Sequence, residues 1–117
     1  MSSNFQKTLT LLILLLCYLP LAAQSQDGIN GRLVDGETGD AMVRATVQLY
    51  RLNGKDTTFV TGVFSNADGR FSINSVRNGS YLLKATYLGY KEFRRNITKT
   101  AGRSLALGTI KMDQNAV

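Results

Sequence analysis

The sequence predicts an all-β sandwich of seven short strands, and three observations carry that expectation. Apolar and polar residues alternate over short runs, as at Tyr81, Leu83, Ala85 and Tyr87, and a period of two marks a half-buried strand. Such runs recur about every ten residues between turn-forming clusters, which is the spacing of a sandwich. No stretch beyond Gln24 has the apolar period of a helix.

The first two dozen residues stand apart. Lys7 is the only charge before Asp27, and Leu9 to Leu19 is almost wholly apolar. Pro20, Leu21, Ala22 and Ala23 follow. A basic start, a short apolar core and small residues at its end describe a secretory signal peptide, expected over 1–23 with cleavage after Ala23. The apolar run is shorter than the roughly 20 residues a membrane-spanning helix needs, and an uncleaved anchor is the alternative. Cys17 follows Leu14, Leu15 and Leu16 rather than a small residue, so lipid attachment there is not expected. The processed chain would contain no cysteine and hence no disulfide framework. About 94 residues then remain, enough for one domain with a single core.

That domain is expected over 24–113. The first strand is Ile29 to Val34, with Ile29, Gly31 and Leu33 on one face. Asp35 to Asp40 is a turn-rich loop, since its residues tolerate left-handed backbone or form side-chain turns. Ala45 to Arg51 is the second strand, with Ala45, Val47 and Leu49 inward and Thr46, Gln48 and Tyr50 outward. Thr57 to Ser65 is the third, rich in Thr, Val and Phe, and Gly62 marks a bulge or a close approach. The stretch Gly62 to Tyr90 organises the rest. Asp68-Gly69 and Asn78-Gly79 lie between apolar runs, and such pairs favour the positive φ of tight hairpins. A meander is therefore expected, with Phe71 and Ile73 on its fourth strand, Tyr81 to Tyr87 on its fifth and Gly89 at its last turn. Lys91 to Thr98 is the sixth strand, Phe93 and Ile97 inward, and Leu105 to Lys111 is the seventh. Residues 114–117 are expected to be a tail, the start of a linker. Which strand forms an exposed edge is not legible.

The chemistry that remains possible is narrow. The chain has no histidine and one cysteine, Cys17 in the leader, which rules out Ser-His and Cys-His catalysis and a His- or Cys-based zinc site. Asp35, Glu37 and Asp40 share a loop and read as turn formers rather than paired catalytic carboxylates. Asn66, Asp68 and Gly69 match part of a calcium loop, but the closing Glu and flanking helices are missing, so a β-turn is expected. No catalytic residue, metal or cofactor is expected. The formal charge of +6 is spread singly along the strands with no recognition helix, which speaks for a solvated face and against nucleic acid. Tyr81 and Tyr87 fall on the apolar face of their strand. Tyr50 and Tyr90 are the candidate ligand contacts, rings on which a glycan would stack.

Gly31 to Asp35, Glu37 to Gly39, Ala45 to Val47, Ala67 to Phe71, Asn78 to Tyr81 and Tyr87 to Lys91 form an ordered set. Together they resemble the carboxypeptidase regulatory-like domain, a transthyretin-like (prealbumin-like) β-sandwich of seven strands. The resemblance covers about 28–113. Ala41 to Arg44 replaces the proline-rich stretch common in the family before the second strand. In Bacteroidetes-type bacteria this domain commonly follows the signal peptide of TonB-dependent outer-membrane receptors. The resemblance therefore implies a non-catalytic accessory domain, exported to the periplasm or outer membrane of a Gram-negative cell. Its partners would be envelope proteins or the remainder of a receptor chain. The sequence would then be a fragment that elsewhere continues into plug and barrel. The alternative is a free-standing carbohydrate-binding module.

Overall fold

The computed structural model describes residues 28–115, so the expected signal peptide and the last two residues of the expected tail lie outside the described part. Seven strands are present: β1 (Ile29–Asp35), β2 (Thr46–Asn53), β3 (Asp56–Phe64), β4 (Arg70–Ile73), β5 (Gly79–Thr86), β6 (Phe93–Lys99) and β7 (Leu105–Met112). They form a three-stranded sheet in the order β4-β1-β7 and a four-stranded sheet in the order β3-β2-β5-β6. The all-β sandwich and each of the seven strands match the expectation to within a few residues.

The core lies between the sheets and is built from period-two positions. Ile29 and Leu33 of β1 meet Val47 and Leu49 of β2 and Tyr81, Leu83 and Ala85 of β5, all fully or nearly fully buried. Ala45 before β2, and Phe71, Ile73, Ile97 and Ile110, complete it. Burial of this apolar surface is the main favourable term for folding. Gly31 belongs to the same face because the Phe71 ring lies against it. A Cβ there would sit 2.8 Å from that ring.

The expected meander is not formed. β4 pairs with β1 in one sheet, while β5 pairs with β2 and β6 in the other. Asp68-Gly69 and Asn78-Gly79 are therefore corners between sheets, not hairpins. Positive φ at Gly69 and Gly79 was legible, but a left-handed residue serves a corner as well as a hairpin. The tight hairpin is elsewhere: Asn53 pairs with Asp56 around Gly54 and Lys55. Positive φ at Gly54 but not at Lys55 fits a type II′ turn. The segment leading into β5 is held by the Tyr81 hydroxyl, which donates to the Arg77 carbonyl at 2.8 Å.

The third strand carries a bulge, two residues from the expected place. Leu49 faces Thr61 and Tyr50 faces Phe59, so Val60 is the extra residue rather than Gly62. Two further assignments change. Tyr87 lies beyond the end of β5 and is 39% exposed, so it is not a core residue. Lys99, expected on a solvated face, is buried, and its ammonium donates to the Thr100 carbonyl at 2.8 Å.

Ser65 joins the end of β3 to the loop before β2. Its hydroxyl donates to the Met42 carbonyl and accepts from the Ala45 amide at 2.8 Å. Its own backbone exchanges bonds with Arg44 and Ala45. The loop closes only because Arg44 takes a left-handed φ of 61°. An L-residue there costs roughly 1–2 kcal/mol. Arg44→Gly is accordingly expected to raise stability by about 0.5–1 kcal/mol after the entropy cost of glycine, read as a higher urea midpoint at unchanged slope.

Candidate functional site

Two regions of the molecule carry polar or apolar groups beyond what packing requires. The first is a partly buried knot at the end of the sandwich where β7 finishes. Asp35, the last residue of β1, is buried. One carboxylate oxygen accepts from the backbone amides of Glu37 and Thr38 at 2.7 and 2.9 Å, which makes Asp35 the former of its own turn. The other oxygen accepts from the Tyr90 hydroxyl and from the Gln114 side-chain amide at 2.9 Å. The backbone adds Lys91 to Asp113 and Asn115 to Gly89, with Tyr90 bridging Gln114. Three distant segments are thus tied to one carboxylate.

The electrostatics follow from the bonds. The Tyr90 hydroxyl first, then Gln114 and the two backbone amides, hold the Asp35 carboxyl well below the usual carboxylate range, against the opposing effect of burial. The same bond to Asp35, with burial, pushes the Tyr90 phenol above its ordinary value. An acid depressed in the folded state contributes stability above its unfolded pKa of about 4 and loses it as pH falls toward the folded value. A phenol raised in the folded state contributes below about pH 10 and loses it as pH rises through the folded value. Urea midpoints from about pH 2 to 7 are expected to fall on the acid side in the wild type and to fall less in Asp35→Asn. Tyr90→Phe leaves Asp35 less depressed, so its acid-side loss is smaller. Equal acid slopes in all three proteins would show that the knot is not what titrates.

Of the two expected ligand rings, the structure places Tyr90 here, half-buried, with its hydroxyl committed to Asp35 and its ring edge-on to Tyr87 at 5.6 Å. Tyr50 sits far along the chain on the outer face of β2, as expected for its strand position. Its hydroxyl donates to Gln48 at 3.1 Å, Phe59 meets its ring edge-on at 5.6 Å, and the Lys84 ammonium lies 4.7 Å from its ring centre. The two tyrosines belong to separate clusters and share no ring contact. The acidic loop and the Asn66 turn behave as turn formers. The Asn66 side-chain oxygen accepts from the amides of Asp68 and Arg70 at 3.0 and 2.9 Å. Among the described residues no three His, Cys, Asp or Glu side chains converge as metal ligands would.

The second region is the free edge of β3. This strand pairs with β2 on one side only, and nearly all its residues are exposed. Phe59 is 56% exposed and Val60 47%. Beside it a cleft of about 370 Å³ opens between the sheets, lined by Val63, Ile73, Val76 and Tyr81 and by Arg51 and Arg77. An unpaired strand edge is a template for an added strand, and natural edges are blunted with Lys, Pro or a bulge. β3 has neither Lys nor Pro; the bulge at Val60 is its one interruption and leaves the ladder positions on either side open. The sequence held a signal for the exposed apolar surface, though not for the edge: Phe59 and Val60 are adjacent, and on a period-two strand two neighbouring apolar side chains cannot both face the core.

Two packed antiparallel-rich sheets with β1 and β7 parallel define a transthyretin-like β-sandwich. The chain belongs to the carboxypeptidase regulatory-like domain family, whose pattern matches residues 28–113. Solved structures share the fold at low identity. The major pilin subunit of Bacillus cereus is 18% identical with a TM-score of 0.61, over 78% of this chain and 29% of that one. A DUF3823 family protein from Bacteroides uniformis is 15% identical with a TM-score of 0.58, over 75% and 43%. The 5-hydroxyisourate hydrolase of Klebsiella pneumoniae is 19% identical with a TM-score of 0.56, over 77% and 99%. The chain spans less than half the length of the pilin and the DUF3823 protein. No curated protein sequence matches it.

Proposed function

We propose that this chain is the non-catalytic N-terminal accessory domain of a TonB-dependent outer-membrane receptor, exported to the periplasmic side of a Gram-negative envelope. It acts there by protein interaction during nutrient uptake. The observation that carries an interaction role is the free edge of β3, with Phe59 and Val60 exposed and a cleft of mixed apolar and polar lining alongside. An extended segment of an envelope protein, or of the receptor chain itself, adds to that edge through backbone bonds and places an apolar side chain in the cleft. Arg51 and Arg77 favour an acidic residue in that segment.

Further support comes from family membership and from the side-chain inventory, which holds no histidine. The geometry also suits a module set in line within a longer chain. β1 and β7 run parallel, so the two ends of the domain leave from opposite ends of the sandwich. Two pilin structures and the DUF3823 protein carry the fold as a part of a longer chain. No described helix is long and apolar enough to cross a membrane.

The test is to sequence the gene beyond the codon for Val117. An in-frame continuation into plug and barrel-strand sequence supports the receptor reading. A stop codon at that point sinks it and leaves the free-standing saccharide-binding module, for which the other sheet supplies a specific observation.

A further inference from the structure

The outer face of the three-stranded sheet bears a groove of about 630 Å³, within the size range of small-ligand sites. Its floor comes from outward positions of β1, β4 and β7, among them Asn30, Arg32, Arg70, Ser72 and Thr109, and Phe64 stands at its side. Arg32 and Arg70 are directly opposite one another in the antiparallel β1/β4 ladder. Like charges in that relation destabilise a sheet. Among the described residues no ion pair offsets the cost: the one present is Arg94 with Glu92 at 3.5 Å, elsewhere on β6 and its approach. Arg32 is oriented, because its Nε donates to the Asp68 carbonyl at 2.9 Å, and its terminal nitrogens bond no other described residue. Phe64 is 68% exposed, a large apolar surface left in water beside two arginines that make no ion pair among the described residues.

We propose that this groove binds a carboxylate-bearing saccharide, with Arg32 and Arg70 gripping the carboxylate and Phe64 stacking on the sugar face. Three features select that class. The paired guanidinium groups present planar donor forks that match a carboxylate. Asn30, Asn66, Ser72 and Thr109 add amides and hydroxyls to the groove lining, which suit a polyhydroxylated ligand. The Asn66 oxygen is already spent on the turn, so its amide nitrogen is the group left to donate. An acidic peptide fits less well. The groove runs across the outer face of the sheet, where side chains and not backbone groups are presented, and it has one exposed ring rather than a row of apolar pockets. The site is complete within this domain and does not rest on the receptor reading.

The experiment is an NMR titration of the full 117-residue chain, labelled with nitrogen-15, with trigalacturonate, its methyl ester and a pentaglutamate peptide. Trigalacturonate at about millimolar concentration is expected to shift the amides of Asn30, Arg32, Asn66, Arg70 and Ser72, and to bind more weakly as salt rises. Arg70→Gln is expected to weaken binding about tenfold or more, through loss of one charge-assisted fork. Its thermal midpoint stays equal to or above that of the wild type, because a like-charge pair has been relieved. Phe64→Ala is expected to weaken binding about five- to tenfold with the spectrum otherwise retained. No shifts at about 10 mM trigalacturonate would overturn the proposal. So would shifts mapping away from this sheet. Equal binding of the methyl ester would show that charge is not read, and equal binding of pentaglutamate that the sugar is not.

Discussion

Gly69→Ala is expected to destabilise the domain by about 3 kcal/mol or more, the sum of a left-handed backbone penalty and a collision that cannot relax. The φ of Gly69 is 78°, and a Cβ built there lies 2.4 Å from the Leu33 carbonyl oxygen. That oxygen cannot move aside. It accepts the Met42 amide at 2.9 Å, while the Leu33 amide donates to the Gly69 carbonyl at 2.8 Å. Gly69 also donates to Asn66 at 2.9 Å, so the corner is held from three directions. Gly89 and Gly54 are the controls, with positive φ of 88° and 64° but nothing within 4 Å of a built Cβ. Alanine at either costs only the backbone term, about 1–2 kcal/mol. In a domain of this size the difference corresponds to a melting point at least about 4–8 °C lower for Gly69→Ala than for Gly89→Ala. Equal losses at the two positions would mean that φ alone, and not the approach of Leu33, requires glycine.

This corner also shows what the sequence could and could not reveal. Alternation placed Ala45, Val47, Leu49, Leu83 and Ala85 in the core, and all five are fully buried. Local pattern is enough for that, because a strand face is set by the chain's own pleat. Pairing is not local. Asp-Gly at 68–69 demands positive φ whether the chain folds back in its own sheet or crosses to the other one. The choice is made by Leu33 and Met42, far away in sequence. The same limit hid the sites. Tyr50 was correctly turned outward, but nothing near Tyr90 announces Asp35, 55 positions earlier, as the partner of its hydroxyl. Arg32 and Arg70 look like two scattered charges until the β1/β4 register sets them opposite each other. Lys99 shows the converse, a charge that composition assigned to solvent and the fold buries.

Ser65→Ala is expected to cost about 2–4 kcal/mol, although it removes a single oxygen. The hydroxyl is buried and serves two backbone groups, the Met42 carbonyl and the Ala45 amide. Alanine leaves both without a partner, and each buried orphan costs roughly 1–3 kcal/mol. Ser72→Ala is the control: its hydroxyl is exposed and bonds only the Asn74 side chain at 3.2 Å, so a change within about 0.5 kcal/mol is expected. Hydrogen exchange distinguishes a local from a global effect. The Ala45 amide should lose protection beyond the global loss, because its acceptor is gone, while Leu83 in the centre of β5 should follow global stability. The position of Ser65 gives the result a functional reach. It lies between Phe64, which walls the arginine groove, and Asn66, whose side chain shapes the turn into Arg70. Loosening this clamp should therefore weaken ligand capture at Arg32 and Arg70 without touching either guanidinium. A Ser65→Ala protein that binds trigalacturonate as tightly as the wild type would separate the groove from the clamp, and place the binding geometry in β1 and β4 alone.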